Sequence, residues 1–179
     1  MFDEIIDEII GIEGGHSNHK NDSGGDTMYG ITIGVARSFG FKGPMRMLPL
    51  SLAKQIYREK YWNPLKLDEI SNISPSLVKE LLDTGINQGV KTAAGYLQQS
   101  LNAFNRRGAE YDDLKIDYSI GPATIKALRA FIAKRRGAGE IVMLRTLNCL
   151  QGARYVKLSQ ERPKDEDFVY GWMLNRVVI

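Results

Sequence analysis

The sequence predicts an all-α protein, on three observations. Apolar residues recur at helical spacing along most of the 179 residues. Glycine and proline fall where such stretches stop and start. Residues 14–31 are too rich in Gly, Asn, Asp, Ser and Thr for a helix, and they read as a loop with a short hairpin.

Each element follows from its residues. Residues 2, 5, 6, 9, 10 and 12 form an apolar stripe, so Phe2 to Ile12 is a helix. Its first turn carries acids, as the macrodipole favours, and Gly14-Gly15 stops it. Thr32 caps a short helix ending near Gly40. Ser51 is expected to cap Leu52 to Trp62, which Asn63-Pro64 ends. Tyr57, Tyr61 and Trp62 sit at helical spacing and are expected in the core. Ser74-Pro75 reads as a cap followed by proline at the first helical position. That helix runs to about Gln88, breaks at Gly89 and resumes to about Phe104. Residues 105–120 form a polar connection. Gly121-Pro122 opens a helix to about Arg136, with Ile125, Leu128, Phe131 and Ile132 inside and Lys126, Arg129 and Arg136 on another face. Lys134-Arg135-Arg136 reads as a helix C-terminus complementing its dipole. Gly137-Ala138-Gly139 breaks the chain before a long helix to about Gln160, and a last helix covers Asp165 to about Arg176. Cys149, the single cysteine, is expected as a small buried apolar residue; it excludes an intramolecular disulfide.

Composition is that of an ordinary globule, 43% hydrophobic and 25% charged, which excludes a disordered chain. No apolar run approaches the roughly 18 residues that span a bilayer. Asp3, Glu4, Asp7 and Glu8 stand where a secretory signal carries basic residues. The net charge is +3, but unevenly spread: the first 60 residues carry −1 and the rest +4. A basic C-terminal part suits an anionic polymer, whether nucleic acid, phospholipid surface or cell-wall glycan.

The segment with chemical content is Glu13 to Thr32. Glu13 ends an apolar helix, where the partial negative charge of the C-terminus should raise its pKa and keep it protonated. A protonated glutamate is what a general acid requires. Asp22, in a polar loop, should stay ionised. Two carboxyls with divergent pKa values are the glycosidase arrangement, and Thr27 supplies a hydroxyl able to bind the attacking water. The same residues also suit a solvated helix end and an ordinary loop. His16-x-x-His19 has no cysteine or third histidine near it, so no metal is expected.

Glu13-Gly14-Gly15, followed by Asp22-x-Gly24-Gly25-x-Thr27-x-x-Gly30-Ile31-Thr32, resembles the signature of glycoside hydrolase family 108. The spacing of Glu13, Asp22 and Thr27 is also similar to the Glu/Asp/Thr triad of the phage T4-type lysozymes, one residue shorter in the second gap. His16 departs from the aromatic residue usual at its position. Asp83-x3-Asn87-x-Gly89 resembles a later part of the same catalytic region, where the pair either lines the cleft or fixes its helix. From about residue 93 the chain is similar to the family's predicted peptidoglycan-binding region, through Tyr96-Leu97-Gln98, Asp117 to Thr124, and Phe168-x2-Gly171-Trp172. Tyr118 stands where that region usually has glycine.

The resemblance implies a lysozyme-like catalytic part at 1–92, packed on a helical peptidoglycan-binding part at 93–179. It implies an N-acetylmuramidase of the phage endolysin type, with Glu13 as catalytic acid and Asp22 and Thr27 as the water-handling pair. Asn87, Lys126 and Arg129 are the expected substrate-binding residues. Peptidoglycan is the expected partner, and the basic part is expected to touch anionic envelope surfaces as well. No nucleic-acid motif accompanies the basic helix; no cofactor is implied and a monomer is expected. The enzyme is expected to wait in the host cytoplasm until a separate pore-forming protein releases it. A lytic transglycosylase and a non-catalytic wall-binding or secretion-helper protein are the rival readings. Retention of Asp22 and Thr27 argues against the first, and the intact Glu/Asp/Thr set against the second.

Overall fold

The computed structural model describes residues 1–13, 15–17 and 25–177, apart from the side chains of Ile12 and Glu13. It is all-α except for one two-stranded hairpin among the described residues. The fold is lysozyme-like, as expected. The chain packs as two units, Met1–Lys60 and Tyr61–Ile179.

In the first unit, α1 (Phe2–Glu13) buries Ile5, Ile6 and Ile10, the stripe read from the sequence. Strands β1 (Thr27–Met28) and β2 (Ile31–Thr32) pair antiparallel. Tyr29 and Gly30 join them at φ 55 and 73. Two successive left-handed residues are the signature of the tight turn that matches strand twist. Thr32 then caps α2 (Ile33–Ser38), its hydroxyl accepting from Val35 N–H at 3.4 Å. A single 3₁₀ turn (Met45–Met47) leads to α3 (Leu50–Tyr57).

Pro49, not Ser51, occupies the N-cap, and the helix does not run regularly to Trp62. From Arg58 to Trp62 the chain widens into a π-turn. The wider turn carries Trp62 into the core, 1% exposed, with its indole N–H on Asp68 Oδ1 at 2.9 Å. Tyr57 is equally buried, so both residues belong to the core as expected.

The second unit is built from α4 (Leu67–Ser71), α5 (Pro75–Gln88), α6 (Val90–Phe104), α7 (Pro122–Glu161) and α8 (Glu166–Arg176). Helix α5 packs on α4, α6 and α7, and α6 on α7. Leu77, Leu81, Leu97, Leu101, Leu128, Phe131 and Met143 fill the space between them. Gly89 alone joins α5 to α6, at φ 97 and ψ 145, a conformation that side chains strongly disfavour. Gly85 faces Leu65 so closely that a Cβ there would lie 2.8 Å from Leu65 Cδ1.

Ser74 does precede Pro75 at the N-cap, but its hydroxyl makes no cap bond. It donates instead to Glu140 Oε1 at 2.8 Å, and Ser76 shares that oxygen. Helix α7 breaks where a break was expected: Arg136 leaves helical geometry at φ 53 and ψ −140. Beyond the break, Arg145, Cys149 and Ala153 recur at four-residue intervals on the outer face. Cys149 is therefore exposed, contrary to expectation, because Leu147, Asn148, Gln151 and Gly152 take the inner positions.

Candidate active site

Glu13 is the last residue of α1, at the helix end where the sequence places it. That helix is tied to α3 through its N-terminal half. Lys54 Nζ lies 2.7 Å from Asp7 Oδ1 and 3.3 Å from Asp3 Oδ1, and the Arg58 guanidinium sits 3.9 Å from the centre of the Phe2 ring. The two carboxylates hold the Lys54 pKa above its ordinary value. The side chain of Glu13, and all of Asp22 and His19, lie outside the described residues.

Thr27 lies at the root of the hairpin, held on both sides. Its partner across the ladder is Thr32. On the other edge it exchanges backbone bonds with Ser17, at 2.8 and 2.9 Å. The Thr27 hydroxyl donates to Gly25 O at 3.1 Å. With its proton so committed, Oγ1 presents acceptor lone pairs, the capacity needed to orient a water. His16 Nε2 meets Asp26 Oδ1 at 2.6 Å, which ties the entry of the loop to the start of the hairpin. The departure from an aromatic at position 16 is thus filled by a polar contact. Tyr57 OH donates to Tyr29 O at 3.0 Å and fixes the hairpin tip to α3.

In the second unit, Asp83 and Asn87 share a face of α5 as the four-residue spacing requires. Asn87 Nδ2 donates to Asp83 Oδ1 at 3.0 Å. Asp83 also receives Gln151 Nε2 at 2.6 Å and Arg176 Nη1 at 2.7 Å, which pins α5 to α7 and α8. One turn earlier, Glu80 Oε2 accepts from Asn148 Nδ2 at 2.7 Å. Burial, and then the charge of Asp83, push the Glu80 pKa up to about 7. Nothing in the sequence marks Glu80, since a lone Glu in an amphipathic helix carries no local sign of a partner 68 residues away.

The Gln98 and Asp117-to-Thr124 motifs converge. Gln98 Nε2 donates to Asp117 Oδ1 at 2.7 Å, Ser119 O at 2.9 Å and Thr124 Oγ1 at 3.3 Å. Its Oε1 accepts from Tyr118 N–H at 3.0 Å. The Gln98 amide and then the Ser119 N–H hold the Asp117 pKa below the usual carboxylate range. Tyr118 adopts φ 61, so the turn keeps the conformation of the glycine it replaces, and its ring covers the bare face of Gly95. The motif works as a latch between α6 and the start of α7.

Lys126 and Arg129 are exposed on α7. Arg136 is exposed too, but it sits at the break and does not continue their helical face. Arg135 is not a mere dipole complement. It pairs bidentately with Glu110, bonds Phe104 O at 2.9 Å and lies over the Phe131 ring. No cluster of three or more His, Cys, Asp or Glu able to hold a metal occurs among the described residues. Nor is any helix among them long and apolar enough to cross a membrane.

Comparison with known proteins agrees with these features. Residues 6–89 match the family model for glycosyl hydrolase 108, and residues 92–177 match that of a predicted peptidoglycan domain. No curated protein matches the chain. Among solved structures, that of Brucella abortus SagA matches with a TM-score of 0.65 and 22% identity, covering 99% of this chain and 96% of that one. At that identity the likeness shows a shared fold. Fold and family matches together define a glycoside hydrolase that acts on peptidoglycan. Its residues 6–89 belong to the glycosyl hydrolase 108 family, and residues 92–177 form a predicted peptidoglycan domain.

Proposed function

We propose that this protein is an N-acetylmuramidase. It hydrolyses the β-1,4 bond from N-acetylmuramic acid to N-acetylglucosamine, with residues 1–92 as the catalytic part and 93–179 holding the wall. The observation that carries the reading is Thr27, a hydroxyl held on both edges of the hairpin root with its acceptor lone pairs available. Glu13, at the helix end, protonates the leaving oxygen as the bond breaks. Asp22 takes a proton from a water that Thr27 orients, and that water attacks the opposite face of the developing oxocarbenium ion. A positioned water implies an inverted product and carboxyls about 6.5–9.5 Å apart, against about 5–5.5 Å for direct carboxylate attack.

Lys126 and Arg129 are exposed cations suited to an anionic wall or envelope surface. Asn87 is exposed, and no described residue donates to its Oδ1, so it can accept from a sugar amide. We place the enzyme among endolysins, acting as a monomer and reaching the wall from the host cytoplasm through a separate pore.

The test is digestion of purified peptidoglycan followed by mass spectrometry of the ends. Reducing muramic ends support hydrolysis by a muramidase. Anhydro ends would make it a transglycosylase, and no cleavage a binding protein. Glu13→Gln should remove cleavage by about 10²–10⁴-fold with the fold intact, since it deletes the proton donor. NMR of fresh product should show inverted configuration; retention would replace water attack by a covalent step on Asp22.

A further inference from the structure

Within Tyr61–Ile179, a groove of about 680 Å³ opens between the 108–121 segment and the first turns of α7. That size falls in the range of ligand sites, about 300–1,000 Å³. Its lining divides into two chemistries. Leu114, Pro122, Ala123, Ala127 and Ala130 contribute small apolar surfaces. The polar part of the lining holds charges of both signs, four carboxylates and two ammonium groups, beside the neutral Gln98, Ser119 and Thr124. Three of the carboxylates are committed within the fold: Glu110 to Arg135, Asp113 to Asn105 at 2.8 Å, and Asp117 to Gln98. The carboxylate of Asp112 and the ammonium groups of Lys115 and Lys126 line the same groove, exposed, with no side-chain hydrogen bond or close ion pair to a described residue, and the Lys115 charge also acts at longer range on Asp117.

A ligand that satisfies this set carries carboxylates, an ammonium group and small apolar side chains. The glycan strand of peptidoglycan does not. Its hexosamines are uncharged, and its lactyl carboxyls are mostly amidated by peptide. The groove also lacks an open aromatic face for sugar stacking, since its one aromatic, Tyr111, is half-buried with its hydroxyl bonded to Leu101 O at 2.6 Å. The stem peptide has all three features: alanine methyls, free carboxylates and, where its third residue is a diamino acid, an ammonium.

We propose that this groove binds the stem peptide of peptidoglycan, with Lys115 and Lys126 on its carboxylates, Asp112 on the diamino-acid ammonium, and alanine methyls on the apolar floor. The proposal rests on the reading that the chain acts on peptidoglycan, and not on which bond it cuts. It makes the C-terminal half a reader of peptide and gives Lys126 a role distinct from general attraction to a polyanion.

The experiment is an NMR titration of the full chain with synthetic L-Ala–γ-D-Glu–meso-diaminopimelate–D-Ala, and in parallel with chitotetraose as peptide-free glycan. Saturable shifts confined to residues 108–130 are expected with the peptide, weakening as salt screens the pairs. Lys115→Gln with Lys126→Gln should lower affinity about tenfold, each exposed pair contributing a factor of up to about five. Asp112→Asn should weaken the diaminopimelate peptide but not an analogue with alanine third. Peptide shifts elsewhere, no peptide binding at millimolar concentration, equal shifts with chitotetraose, or unchanged affinity in the folded double variant would each overturn the proposal. The peptide has no glycosidic bond, so its binding is read independently of Glu13, and failure of the Glu13→Gln test leaves this one standing.

Discussion

Replacing Gln98 by leucine tests the latch at the start of α7. Gln98 is 2% exposed and its amide has two N–H groups shared among three acceptors. One of those acceptors is a carboxylate. Leucine keeps nearly the same volume, so the loss is in hydrogen bonding and not in packing. A bond to a charged group is worth about 1.5–3 kcal/mol and a neutral one about 1 kcal/mol. Asp117 and Ser119 are exposed and regain water, whereas Thr124 is buried and does not. The net cost should be about 3 kcal/mol. At about 2–4 °C per kcal/mol for a chain of this size, the melting temperature should fall by about 6–12 °C. Circular dichroism melts measure it directly. A Gln98→Leu protein melting within about 2 °C of wild type would show that the motif does not hold α6 to α7. Gln98→Glu sharpens the result, because it sets a second carboxylate against Asp117. It should be the less stable variant near neutral pH and recover part of the loss on acidification.

Two further outcomes follow from the packing of α5. The folded Glu80 pKa of about 7 stands above its ordinary 4.5, so ionisation is disfavoured in the native state. Stability from this group is present below pH 4.5 and lost as pH rises toward 7, on the order of 3 kcal/mol by pH 8. Urea titrations at pH 5 and pH 8 should therefore differ in wild type and differ less in Glu80→Gln; equal pH slopes in the two proteins would refute the assignment. Gly85→Val should destabilise by about 1–3 kcal/mol through overpacking against Leu65, and Leu65→Ala in the same chain should recover part of the loss; a melting temperature unchanged by Gly85→Val alone would refute the contact.

Local signals carried most of the fold. Period, proline and glycine are enough to place α5, the junction at Gly89 and α6, with ends near Gln88 and Phe104, because each is decided within a few positions of chain. The break near Arg136 was readable for the same reason. The π-turn at Arg58–Trp62 was not, since it answers to the burial of Trp62 and not to any pattern in its own residues. Ser74 shows the limit of cap chemistry: a hydroxyl at an N-cap turns away when a carboxylate 66 residues distant offers a bond. Thr27 was legible as a candidate from spacing to Glu13, while the ladder that holds it required the folded hairpin. Gln98, Asp117 and Thr124 stood out as motif residues, yet only their convergence revealed a latch.

The single-residue junction at Gly89 bears on how such a chain can be recombined. The family match to the hydrolase ends at 89, but α5, its last helix, is folded into Tyr61–Ile179. Its carboxylates Glu80 and Asp83 find their partners on Asn148, Gln151 and Arg176, all beyond the junction. A graft cut at this glycine would leave a donor helix facing a foreign surface, with two buried or half-buried acids unmatched. Exchange of one half for another therefore has to carry α5 and its receiving residues on α7 and α8 together. The boundary at which the two family matches meet is therefore not a boundary of packing, because α5 and its partners on α7 and α8 fold together within Tyr61–Ile179.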